Sequence, residues 1–251
     1  MKARGFTLLE LVIVMVLIGI SAVFGTRFIA YMAEGYMGNT ERAQALAGAR
    51  FTLERLRREL ALAYGPSVYF SDSKRCISFV PTLAAGTYQG SVKSATASFV
   101  VPLSLQKQVP QGSFMAIRAA SGEALWSDFP AAAPDDNVHL VQKAYSGSSF
   151  GFDDVFNDPT LISFDREGFD LRYTLIRAEQ VRYCATGGSL FRQVKTGADW
   201  GDGVLMLTGL TSERPFLDYD ESNQLVQLQL ILSTRDGELV LPGQLQVTYA
   251  P

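Results

Sequence analysis

Few side chains in this 251-residue sequence have a type and spacing that could do chemistry. Glu10 is the one charge within residues 6–24, an otherwise apolar run. An acidic group near the middle of a membrane-spanning segment costs about 2.5–3.5 kcal/mol, so it either lies at headgroup depth, where the cost is small, or has a partner. Cys76 and Cys184 fit no zinc or redox spacing, because they stand far apart and no second histidine accompanies His139. Asp153, Asp154, Asn157 and Asp158 gather oxygen donors that could suit calcium, as do Asp218, Asp220, Glu221 and Asn223. Neither group follows the EF-hand pattern, and Asp and Asn in such clusters commonly bond their own backbone in solvated turns, so no metal is expected. His139 falls in an expected strand without a nucleophile motif, and GxxxxGK[ST], the Rossmann glycines and HExxH are all missing. No catalytic residue and no cofactor are therefore expected. The 22 basic and 25 acidic residues give a net charge of -3, without the basic excess that a nucleic-acid partner requires.

The elements that carry these residues begin with the apolar run. Lys2 and Arg4 precede it and, by the positive-inside rule, stay cytoplasmic, so the remainder is exported. A bilayer core needs about 20 apolar residues, which the run supplies to Tyr31 if Arg27 snorkels to the interface. No A-x-A pattern closes it, so the helix is expected to stay attached. Leu46, Ala49, Leu53, Leu56, Leu60 and Ala63 then repeat at gaps of three and four, one apolar seam facing a head. The pairs Glu54/Arg58 and Arg55/Glu59 read as solvated support rather than a site. Gly65 and Pro66 are expected to stop a helix that, from residue 6 to 64, would be roughly 90 Å long, with a bend or a melted stretch at Gly35, Gly38 and Asn39. From Val68 onward short Val-, Ile-, Phe- and Tyr-rich runs predict a β-rich head, with candidate strands at 76–80, 98–101, 114–118 and 138–144. Two hairpins stand out: 180–184 with 190–195 around Gly187 and Gly188, and 225–234 with 238–249 around Asp236 and Gly237, where Pro242 is expected to interrupt or bulge the returning strand.

Residues 4–10 read RGFTLLE, which closely resembles the type IV prepilin signal of pili and type II secretion pseudopilins. The resemblance implies that a prepilin peptidase cuts between Gly5 and Phe6 and N-methylates Phe6, and that Glu10 offsets the new amine within a filament. Glycine suits the cut because it lacks a side chain. Residues four apart share a helix face, and opposite charges gain strength where water is excluded. Three weaker runs, RRELA, VRYCATGGSLFR and the closing LQVTYAP, look like the larger minor pilins: J-type and W-type subunits and, most nearly, a minor subunit of mannose-sensitive haemagglutinin (MSHA) pili. No proline occurs before Pro66, where bulk pilins usually carry one just after the apolar run, which favours a minor subunit.

The resemblance implies an α+β, pilin-like fold, with a long N-terminal helix packed on an antiparallel β-rich head. The expected divisions are a leader at 1–5, a transmembrane and assembly helix at 6–31, a periplasmic stalk at 32–64 and a head at 65–251. The implied partners are the prepilin peptidase, other pilins and minor pilins, and an inner-membrane assembly platform. The location would be the inner membrane and then a filament, near its tip. In an oxidising periplasm Cys76 and Cys184 could close a loop worth about 4–5 kcal/mol, or remain two buried thiols. Trp126 and Trp200 could anchor a partner or fill the core. The alternatives are a J-type pseudopilin or a permanently anchored periplasmic binding module.

Overall fold

The computed structural model describes residues 8–247. Its first element, α1 (Leu8–Ala61), is a single α-helix of 54 residues, about 80 Å long at 1.5 Å per residue. Gly35, Gly38 and Asn39 are all helical, so the melted stretch expected there is not found. Tertiary contact overrides poor propensity at Gly38, where a Cβ would lie 2.8 Å from a carboxylate oxygen of Asp236. The glycine makes room for a docked turn. The helix ends at Ala61, before the Gly65–Pro66 pair expected to stop it. The Leu62 carbonyl accepts from the Thr82 amide at 2.7 Å and the Tyr64 amide donates to the Val80 carbonyl at 2.8 Å, which draws the chain into strand-like pairing.

The strands follow in two stages. β1 (Tyr69–Ser71) and β2 (Cys76–Phe79) open the head. The chain then leaves on a long excursion through β3 (Thr82–Gln89), β4 (Ser98–Val100), β5 (Gln108–Val109), β6 (Phe114–Ala116), β7 (Val138–Leu140), β8 (Tyr145–Ser146), β9 (Ser149–Phe150) and β10 (Arg172–Ile176). It returns through β11 (Gln180–Thr186), β12 (Ser189–Lys195), β13 (Val204–Thr208), β14 (Phe216–Asp220), β15 (Leu225–Thr234) and β16 (Gly237–Gln246). The sheets run β1-β2-β11-β12-β13, β14-β15-β16, β7-β6-β10-β3-β4-β9 and β5-β8, with every pairing antiparallel. The α+β architecture expected from the sequence is the one observed.

α1 packs on the first two of these sheets. Ala49, Leu56, Leu60 and Ala63 meet Ile77, Phe79, Val181 and Tyr183 on one side and Val226, Leu228, Leu230 and Leu232 on the other. Burying each leucine is worth about 1.5–3 kcal/mol. Leu53 of the expected seam is only half-buried, while Thr52 is buried, with its hydroxyl 2.9 Å from the Met206 carbonyl of β13. β13 is an edge strand, and α1 lies against it. The excursion forms a second lobe around Tyr88, Phe99, Phe150, Phe152 and Tyr173, whose rings meet edge-on or stacked. A third cluster, including Tyr64, Trp126, Phe129 and Ile176, joins the lobes. Trp126 is fully buried, with its indole N–H donating to the Ala120 carbonyl at 2.8 Å, so it is core and not an exposed anchor.

Both expected hairpins form. Gly187 and Gly188 turn β11 into β12 with φ of 58° and 71°, a region open to glycine. In the second, Thr234 pairs with Gly237, so the turn sits on Arg235 and Asp236, one residue earlier than expected. Pro242 neither interrupts nor bulges β16, whose register with β15 is continuous through Gln229↔Pro242. The Gln229 amide donates away from β16, to the Pro215 carbonyl, so this is a non-hydrogen-bonded pair and the N–H that proline lacks would have faced the open edge.

Candidate functional site

Glu10 lies on α1, in the first turn that the structure describes. Around it Leu8, Leu9, Leu11 and Val12 are exposed, as is every residue from 8 to 37 among the described residues. Within that rod the Thr26 hydroxyl donates to the Val23 carbonyl at 3.0 Å, so this polar side chain is satisfied inside its own helix. The helix is long and apolar enough to cross a membrane. Gly5 and Phe6 lie outside the described residues.

Residues 1–26 match the prokaryotic N-terminal methylation motif. The match supports a type IV pilin-like protein. No curated protein and no solved structure matches the chain. The methylation motif covers Gly5, Phe6 and Glu10 and stops within α1. It implies processing by a prepilin peptidase and assembly with other pilins, and with the apolar helix it fits a single-pass, membrane-anchored pilin. The family that carries the motif is structural rather than catalytic.

Beyond the motif, the head's candidate residues have structural surroundings. Ile77 and Phe79 point toward α1, so the alternation of the strand places Cys76 on the opposite face of β2. Cys184 stands directly across on β11, with Cα atoms 4.1 Å apart, and the two sulfurs are bonded. Asp72 brings a carboxylate near both sulfurs, but these are committed to each other and offer no thiolate to a metal. The Arg182 guanidinium lies 4.1 Å from the ring centre of Trp200, and burial lowers its pKa.

The two acidic clusters sit in turns that use their own oxygens. Asp154 accepts from the Gly151 amide, Asp158 from Thr160, and Asp220 from the Ser222 and Asn223 amides. His139 on β7 packs its ring edge-on against Phe156 and Phe164 and pairs Nε2 with the Ser163 carbonyl at 2.9 Å.

Two carboxylates have roles that sequence reasoning missed. Glu59, expected to serve only Arg55 on a solvated face, also accepts from the Arg192 guanidinium, with both carboxylate oxygens 3.0 Å from Nε. It ties α1 to β12. Burial alone would lower the Arg192 pKa, but the hydrogen-bonded Glu59 carboxylate outweighs it and raises it. Glu167 accepts from the Ser91 hydroxyl at 2.6 Å, the Tyr88 hydroxyl at 2.8 Å and the Val92 amide at 3.4 Å. Burial pushes the Glu167 carboxyl up, but these donors outweigh burial and hold it below its ordinary 4.5. Neither contact has a local signal, since the partners lie far away in sequence.

A folded pKa below the unfolded one means that Glu167 stabilises the fold above pH 4.5 and that this contribution fades as pH falls through the lower folded value. Glu167→Gln should therefore flatten part of the acid dependence. Urea midpoints of wild type are expected to fall more steeply than those of the variant between about pH 5.5 and 3. Parallel curves would remove the clasp from the acid response.

Proposed function

We propose that this chain is a minor pilin or pseudopilin subunit that is cut between Gly5 and Phe6, N-methylated on Phe6 and inserted by α1 into a type IV pilus or pilus-like filament. The observation that carries the reading is the methylation motif over residues 1–26, continued by an apolar helix whose residues 8–37 are all exposed among the described residues. A rod that apolar must be covered, first by lipid and then by the helices of other subunits. Glu10 serves assembly by offsetting the methylated amine in that water-poor core, where a charge pair is strongest. The head stays periplasmic on the export side, and the absence of proline before Pro66 favours a minor position near the filament tip. Among minor subunits the runs RRELA and VRYCATGGSLFR favour the MshO type of MSHA pili.

Mass spectrometry of the native protein's amino-terminal peptide tests the reading: N-methylated Phe6 supports it, and an intact Met1 leader sinks it. Glu10→Ala separates assembly from export. The substitution removes a charge near the cytoplasmic end of the apolar run, where the insertion cost is below its mid-span value, so the amount in the membrane should hold or rise, while the amount in sheared filaments falls at least tenfold. Wild-type incorporation of this variant would exclude the charge-pairing role.

A further inference from the structure

A cavity of about 370 Å³ opens between the two lobes of the head. Its floor is the outer face of the six-stranded sheet. Tyr173 and Leu175 of β10 point into the lobe's core, so Arg172 and Thr174 face the cavity, beside Ala116 of β6 in the facing register. Arg118 continues that face two residues beyond Ala116. The opposite wall comes from the helix-bearing lobe, with Pro66 and, from the turn between β14 and β15, Gln224. Clefts between lobes are where ligands are most often held.

Three features of this cleft lack a structural explanation. Arg118 and Arg172 both line it, and among the described residues neither guanidinium is within 4.0 Å of a carboxylate. Phe169 leaves 70 % of its surface exposed while its ring holds the Arg118 guanidinium 4.3 Å from its centre. Positive φ occurs at Arg118 (50°), Asp170 (51°), Leu171 (53°) and Gln224 (52°), a conformation that costs free energy and is uncommon for a side chain as bulky as leucine. The neighbouring structure maintains this loop. The Gly168 amide donates to the Tyr88 hydroxyl at 2.7 Å, and that hydroxyl is held by Glu167. A Cβ on Gly168 would collide with the Arg172 carbonyl oxygen.

We propose that this interlobe cleft binds a sugar acid, a polyhydroxylated ring bearing a carboxylate. Two arginine forks suit a carboxylate, which accepts paired N–H bonds from a planar guanidinium. The exposed Phe169 ring offers a flat apolar surface for the C–H face of a pyranose. Asp170 decides against a bare anion, because its carboxylate repels one but accepts from hydroxyls that a sugar brings. Thr174 and Gln224 supply further donors and acceptors. The inference is independent of filament insertion, since it rests on the head alone.

The test is titration of the full-length chain in detergent micelles with D-glucuronate, followed by ligand-observed NMR, with D-glucose and inorganic phosphate as comparators. Saturable glucuronate binding is expected in the millimolar range or tighter, with glucose at least tenfold weaker. Arg118→Gln and Arg172→Gln should each weaken it at least tenfold, Arg172→Lys less, and Phe169→Ala about fivefold. All three positions are exposed, so unchanged thermal melting should accompany each loss. Absence of saturable glucuronate binding by wild type overturns the proposal. So does phosphate binding as tight as glucuronate that ignores Phe169→Ala, which would mark a plain anion site.

Discussion

Replacing Gly5 with leucine is expected to leave essentially the whole population as an uncut precursor held in the membrane. A protease must bring the scissile backbone within bonding distance, and glycine alone presents no Cβ on that approach. Leucine adds a branched side chain on the P1 side of the proposed Gly5–Phe6 cut, and loss of near-attack geometry by even 1 Å can cost about a hundredfold in rate. Without the cut no amine forms on Phe6, so Glu10 would enter a filament core with no counter-charge from that source and assembly should fail as well. The amino-terminal peptide in the membrane fraction reports the outcome: mature Phe6 should fall at least tenfold, while Gly5→Ala gives an intermediate level. Normal trimming of Gly5→Leu would move the cut elsewhere and remove the assigned role of Phe6.

The second large effect lies in the head. Cys76 and Cys184 are separated by 108 positions, and the whole excursion from β3 to β10 leaves and returns between them. Cross-linking a loop of about 100 residues removes unfolded-state entropy worth about 4.7 kcal/mol in the loop-closure model. The native strands gain little, because β2 and β11 already pair through Phe79↔Val181, Ser78↔Arg182 and Ile77↔Tyr183. The double substitution Cys76→Ser/Cys184→Ser should therefore leave the native spectrum unchanged and lower stability by about 4 kcal/mol. In a chain of this size that is a melting shift of roughly 8–16 °C. Reductant should shift wild type by the same amount and the variant not at all. Coincident urea curves for oxidised wild type, reduced wild type and variant would mean that the bond contributes nothing.

The helix and the two hairpins were legible because each carries a local period. Val226, Leu228, Leu230 and Leu232 alternate on β15, and Ala49, Leu56 and Leu60 recur at helical spacing on α1. Thr52 was missed because its hydroxyl is accepted by a carbonyl 154 positions away, which no helical period encodes. The second lobe was not legible as a lobe: β4, β6 and β7 fall inside the expected runs, but the pairing β7-β6-β10-β3-β4-β9 joins stretches far apart in the chain, which no local period encodes. Pro242 misled because a proline's effect on a strand depends on which side its nitrogen faces, and only the register tells. Trp126 and Trp200 have the same residue type but different burial, which composition does not separate. The interlobe cleft was invisible for the same reason as the Glu59–Arg192 tie, since its lining comes from separate stretches of chain: Arg118, then Phe169 with Arg172, then Gln224.

In the proposed filament, tension would reach the subunit through α1, whose covalent continuation into the head leaves at Ala61, fifteen positions before Cys76. From there the covalent path toward the C-terminal strands crosses the sulfur bridge and bypasses everything between the two cysteines. The inserted lobe thus hangs beside the load path, and its 108-residue span keeps roughly 350–390 Å of contour out of any extension. The cleft wall that carries Arg118, Phe169 and Arg172 lies within this span and would hold its shape while the subunit around it is pulled, as long as the bridge stays oxidised, whereas the facing wall of Pro66 and Gln224 lies outside it.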